Sequence, residues 1–230
     1  MLEGYRRYAI YWTPAPDSAL ARLGASWLGW DPASGTGAPR DDPRVQNPWR
    51  YGLHATLKAP FRLSAGIGVD GLDAAVSAFA RAHALVRAPG LQIDDGLGFF
   101  ALRPAGGCPA IDKLAADVVT AFDRFRAPLD DVERARRHPE ALLPRHRALF
   151  ERWGYPYVME AYRFHITLTG PVPAAVQAST RAELKGLFDA ALDESFVVDA
   201  LSLLGDPGPD GAGRQRGFRL LSRHALAGSV

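Results

Sequence analysis

Tyr51-Gly52-Leu53-His54-Ala55-Thr56-Leu57-Lys58-Ala59-Pro60 and Tyr162-Arg163-Phe164-His165-Ile166-Thr167-Leu168-Thr169-Gly170-Pro171 are one pattern written twice, 111 residues apart. Tyr, His, Thr, Leu and Pro recur at the same offset. The chain has six histidines and seven threonines in 230 residues. A given His is therefore followed two places on by Thr with a probability of about 3%. Two such pairs, embedded in three further identities, are a repeat. The period is too long for a solenoid, whose units run to ~20–50 residues, so the chain reads as two related halves.

The elements around each motif support that reading. Residues 6–12, RRYAIYW, read as a strand, and 17–28 as a helix capped by Asp17 and closed by Gly29. Residues 31–48 are rich in Pro, Gly and Asp and lack periodicity, which predicts a long loop of the kind that covers binding sites. The first motif predicts a strand over 51–58. A helix follows over 70–86, with Leu72, Val76, Phe79 and His83 on one stripe. Strands at 90–94 and 97–103 flank Asp94-Asp95-Gly96, and a helix covers 110–125. Residues 129–160 suggest two short charged helices. The second motif predicts a strand over 162–169, then a helix over 179–192 and strands at 195–204 and 216–223. The expected fold class is α+β: a single bilobed domain over 1–230 with a pseudo-two-fold. Two mainly antiparallel sheets would line a central cleft with helices outside. The lobes are expected near 1–105 and 106–230, with strands free to swap between them.

Composition narrows the function classes. Net charge is +2, too small to indicate a polyanion by itself, and the 24 arginines against three lysines reflect compositional bias. Long nucleic acid is not the expected partner. No apolar run approaches the ~20 residues of a membrane helix. The N-terminal MLEGYRRYAIYW lacks the features of a secretion signal, so a cytoplasmic location is the expectation. The single cysteine, Cys108, excludes an internal disulfide and a cysteine-built zinc site. No H-E-x-x-H occurs, and no cofactor or metal is expected.

On a strand, residues i and i+2 share a face. His54 with Thr56, and His165 with Thr167, would thus point the same way, and a two-fold would bring the pairs together. Two imidazoles facing one phosphorus can supply a base for water and an acid for the departing alkoxide near neutral pH. Two hydroxyls can donate to the non-bridging oxygens. His54, Thr56, His165 and Thr167 are the candidate catalytic residues. By the same alternation Lys58, Arg163 and Thr169 extend the reactive face, and Tyr11 ends a strand beside it, making these four the candidate substrate contacts. Tyr51 and Tyr162, at odd spacing from His, are expected on the opposite face in a structural role. The eight arginines in 124–152 read as solvated and ion-paired rather than as a substrate-binding cap.

The doubled H-x-T strand resembles the two-histidine (2H) phosphoesterase superfamily, which includes RNA 2′,3′-cyclic phosphodiesterases. RYAIYWTP, YGLHATLKAPFRL, GFFALRP, FDRFRAPL, RWGYPYVME and FHITLTGP further resemble the bacterial DUF1045 family of phosphonate-metabolism proteins. The resemblance implies both motifs lining one groove, and metal-independent hydrolysis of a cyclic phosphodiester of a small phosphorylated metabolite. The alternatives are an RNA 2′,3′-cyclic phosphodiesterase and a non-catalytic binder of a phosphorylated ligand.

Overall fold

The computed structural model describes residues 2–192 and 195–228. In chain order the elements are β1 (Arg7–Trp12), α1 (Ala19–Leu28), β2 (Trp30–Asp31), β3 (Thr36–Gly37), β4 (Ala55–Phe61), α2 (Val69–Ala82), β5 (Val86–Pro89), β6 (Leu91–Asp94), β7 (Ala101–Pro104), α3 (Pro109–Phe122), α4 (Asp131–Ala135), α5 (Pro144–Trp153), β8 (Ile166–Thr167), α6 (Ala174–Phe188), β9 (Ser195–Val198), β10 (Ala200–Asp206) and β11 (Arg219–Ala225). The fold is α+β. Seven strands run in the order β11-β10-β1-β4-β8-β7-β6, and each neighbouring pair is antiparallel. β2–β3 and β5–β9 form separate two-stranded ribbons.

The sheet has two parts, β11-β10-β1-β4 and β8-β7-β6, joined through one pair of residues, Ala55 and Ile166. The C-terminal strands β10 and β11 thus extend the sheet of the first motif, and β6 and β7 extend that of the second.

Period-two alternation decides the layers. On β1, Tyr8, Ile10 and Trp12 enter the main core, while Ala9 and Tyr11 face the other side with Leu204 and Phe218. α2 packs on β10 and β11, and α3 packs on β4. Their stripes (Leu72, Val76 and Ala80; Ile111, Leu114 and Val118) fill the core side. The face carrying Tyr11 is left free of long helices. Segment 129–161 borders it, held to α3 through Val119, Leu149 and Val158.

Several boundaries differ from expectation. Ser18, not Asp17, caps α1, its Oγ accepting from the Ala21 amide; Asp17 sits at φ 66°. The predicted loop 31–48 contains β3 and the end of β2. The strand predicted at 195–204 breaks at Asp199, whose carboxylate takes Arg223 at 2.7 Å, and its halves join different sheets. The predicted strand 162–169 shrinks to Ile166–Thr167, because the amides of Leu168 and Thr169 both donate to the Phe100 carbonyl, at 2.9 and 3.1 Å.

Candidate active site at the junction of the two motifs

The Ala55–Ile166 pair generates the site. Both side chains enter the core, so their neighbours point to the opposite face. Continuing the antiparallel register sets His54 opposite Thr167 and Thr56 opposite His165. Facing residues of an antiparallel pair have Cβ atoms only ~4.5–5.5 Å apart. Such a pair also carries a local two-fold axis normal to the sheet, so the sequence repeat is expressed here as a geometric one. His54, Thr56, His165 and Thr167 all line one open cleft of about 320 Å³.

Each histidine stands immediately before its strand and is held alike. His54 Nδ1 is 2.9 Å from the Gly52 carbonyl, and His165 Nδ1 is 2.8 Å from the Arg163 carbonyl. A carbonyl only accepts, so Nδ1 carries the proton in both neutral rings and Nε2 is left as the base. The Gly52 bond needs glycine: φ is 64°, and a Cβ there would lie 2.2 Å from Pro32. Tyr11 stacks on the His54 ring at 4.2 Å, and Phe99 meets His165 edge-on at 5.6 Å. Both imidazoles are half-buried, and both titrate low. Desolvation is the main cause for His54, with the charge of His165 adding to it against the Gly52 carbonyl, and its pKa falls to about 4. Desolvation likewise lowers His165, opposed by the Arg163 carbonyl and aided by the Arg103 charge. Among the described residues, neither Thr56 nor Thr167 uses its hydroxyl in a hydrogen bond to protein, so both remain available to a ligand.

The sequence model of the family described as "Protein of unknown function (DUF1045)" matches residues 56–212, starting two residues after His54 and spanning the whole second motif. The chain belongs to the DUF1045 family. A protein named ribose 1,5-bisphosphate phosphokinase PhnN from Janthinobacterium sp. (strain Marseille) is 39% identical over 215 residues, which cover 87% of this chain and 48% of that protein. The protein of the same name from Laribacter hongkongensis (strain HLHK9) is 36% identical over 212 residues, with the same coverage, 87% and 48%. The chain thus spans about half the length of the curated relatives it matches. Among solved structures, TT0787 of Thermus thermophilus aligns with a TM-score of 0.47 at 16% identity, covering 97% of this chain and 100% of that one. LigT of E. coli, solved with NADP+, aligns with a TM-score of 0.44 at 15% identity, covering 97% and 99%.

In this DUF1045 protein all four of the expected substrate contacts need correction. Lys58 does not reach the cleft. Tyr11 pairs with Thr56 but Ile10 pairs with Lys58, so Leu57 is an extra residue. The bulge turns Lys58 to the face of Ile10, inside the protein. It is 3% exposed, and its Nζ donates to the Val119 carbonyl at 3.2 Å and meets Asp123 at 3.5 Å. Arg163 lies outside strand β8, and its guanidinium donates to the carbonyls of Glu160 and Tyr162 rather than lining the cleft. Thr169 borders the cleft but is 0% exposed, and its Oγ1 accepts from the Phe100 amide at 3.0 Å; it braces the wall behind the site. Tyr11, 1% exposed, likewise backs His54.

Tyr162 lies beneath the site, its hydroxyl donating to the Thr56 carbonyl at 2.9 Å and tying the two motifs together. Tyr51, expected there too, instead lines the cleft 5.5 Å from the His54 ring, because residues 49–51 form a 3₁₀ turn rather than a strand. Sequence reasoning missed Tyr155 and Arg137, which also line the cleft; the Arg137 guanidinium lies 4.7 Å over the Tyr155 ring. Among the described residues, no group of three His, Cys, Asp or Glu side chains is placed to hold a metal ion, and no helix is long and apolar enough to cross a membrane.

Burial also makes Lys58 a test of this account. Desolvation, partly offset by Asp123, lowers its pKa to about 8 from 10.5. The unfolded chain therefore binds this proton more tightly, and the native state bears the full cost below pH 8. Lys58→Met should raise stability at pH 7 by about 1–3 kcal/mol in denaturant titrations. That gain should shrink as pH rises from 8 to 10.5, and kcat/KM should change less than about twofold. A loss of stability at pH 7 would contradict the assignment.

Proposed function

We propose that the chain hydrolyses a cyclic phosphodiester of a small phosphorylated metabolite by general acid–base catalysis between His54 and His165. One observation carries the reading: both Nδ1 atoms are committed to backbone carbonyls, which leaves two Nε2 atoms free in one cleft. In the proposed reaction, His54 Nε2 takes a proton from water as its oxygen bonds to phosphorus. The P–O bond to the sugar breaks, and His165 Nε2–H protonates the departing alkoxide. Thr56 and Thr167 donate to the non-bridging oxygens, where charge accumulates. His54 is the base because its environment disfavours its cation more strongly.

The relatives' kinase name describes proteins about twice this length, and no G-x-x-x-x-G-K-[ST] phosphate loop is present in this chain. Kinase activity is not part of the proposal. The name does connect proteins containing such a segment with phosphorylated ribose. Opening a ribose cyclic phosphate yields a compound of that class.

A screen of ribose 1,2-cyclic phosphate and nucleoside 2′,3′-cyclic phosphates, with EDTA present, tests the proposal. Hydrolysis unaffected by the chelator is expected. Ligand binding without product across the panel would reject it. The pH profile is a further expected outcome. In the free enzyme His54 must be neutral, so kcat/KM falls as pH drops through about 4. His165 must be protonated, so kcat/KM also falls as pH rises through a value below the usual 6.5. The bell should peak on the acid side of neutrality, with limbs that belong to the coupled pair. A profile rising steadily to pH 9 would contradict these roles.

A further inference from the structure

The cleft holds one permanent charge among its described lining residues, and it is a cation the chemistry above does not use. Arg137, in the turn after α4, lines the same cavity as both histidines, and no Asp or Glu does. Two arginines of the same segment are neutralised by carboxylates, Arg134 by Glu151 at 2.8 Å and Arg126 by Asp123 at 2.8 Å, and Arg62 takes Glu133 at 3.0 Å. Arg137 makes no ion pair among the described residues, and its side-chain partner is the Tyr155 hydroxyl. Its guanidinium lies over the Tyr155 ring, and with several N–H donors and this one partner it keeps donors for a ligand. The platform beneath it is fixed, since Tyr155 packs with Trp153 and Met159 against Val119, Leu149 and Val158. A guanidinium presented this way suits a phosphate, which it can meet with two parallel N–H bonds.

This cation comes from a different segment of the chain than the reacting groups. The histidines and threonines come from the β4–β8 junction, whereas Arg137, with Tyr155, Ala59 and Pro60, lies where the cleft adjoins a second depression that neither histidine lines. The cleft, at about 320 Å³, lies in the range of small-molecule sites, roughly 300–1,000 Å³. Resting on the function proposed above, we infer that Arg137, stacked on Tyr155, binds a second phosphate of the substrate, so that the substrate class is a sugar cyclic phosphate carrying a phosphomonoester elsewhere on the sugar. Arg137 then sets specificity, and the histidines and threonines serve the ring that opens.

The test compares wild type, Arg137→Ala and Arg137→Lys on ribose 1,2-cyclic phosphate with and without a 5-phosphate. Wild type should prefer the 5-phosphorylated ester. Arg137→Ala should lose about 10- to 100-fold in kcat/KM on that ester, mostly through KM, as expected for a hydrogen bond to a charged group. It should change less than about threefold on the other ester, and Lys should restore part of the loss. Equal losses on both esters, or no loss on either, would overturn the inference. If wild type hydrolyses neither ester, the proposed function fails, and the subsite is judged separately by titrating ribose 5-phosphate into wild type and Arg137→Ala. Binding weakened about tenfold or more by the substitution supports it; equal affinity, or no binding to wild type, rejects it.

Discussion

Replacing either histidine by alanine should lower kcat/KM for a cyclic phosphodiester by about a hundred- to ten-thousand-fold, the usual span for one positioned acid or base. The loss should fall mainly on kcat, because Nε2 moves a proton only as the reaction proceeds. The double variant should be little worse than the worse single one. With the base gone, an acid has no developing bond to assist, so residues acting as a unit are strongly non-additive. The two variants should also differ in their pH dependence. Without His54 the acid limb near pH 4 should disappear, and without His165 the alkaline limb should do so. Circular dichroism of both variants should match wild type, because each ring is only half-buried, at a cleft wall. Activity retained in both variants would end the assignment.

The second large effect concerns the threonines. Thr56→Val and Thr167→Val remove a hydroxyl and keep a β-branched side chain of nearly the same shape in the strand. Each should cost about a hundred- to a thousand-fold in kcat, the magnitude measured for one donor to an accumulating oxyanion. KM should move far less, since the donors act most strongly on charge that builds in the transition state. Thr→Ser should retain most of the activity, because it keeps the hydroxyl. Thr169→Val gives the contrasting result: it removes the bond to the Phe100 amide at 3.0 Å and should lower stability by about 1–3 kcal/mol, with kcat changed less than either motif threonine. Equal kcat effects at all three positions would show that the hydroxyls brace the wall rather than touch the substrate.

These contrasts mark where the sequence can be read and where it cannot. The doubled H-x-T spacing was legible because a period of two is local geometry, and its consequence needs only one antiparallel pair, Ala55 with Ile166. The helix stripes were legible for the same reason. Lys58 was misplaced because alternation was carried through a bulge. An extra residue on one strand is defined only by its partner, here β1, which the local sequence does not name. Arg163 and Tyr51 were misplaced because strands were extended over residues that form a turn and a loop. Arg137 was hidden among eight arginines of one segment; what distinguishes it is its place in the lining of the cleft, a property of packing. The long-range tie from the Tyr162 hydroxyl to the Thr56 carbonyl was equally out of reach, although its structural role followed from spacing alone.

The measurement closest to the central claim is a crystal structure with vanadate and a ribose diol, which together imitate a five-coordinate phosphorus. The account requires the metal-oxide centre to sit between the rings, with His54 Nε2 and His165 Nε2 each within hydrogen-bond reach of opposite apical oxygens and the hydroxyls of Thr56 and Thr167 on the equatorial ones. A vanadate bound outside this cleft, or touching only one imidazole, would contradict it.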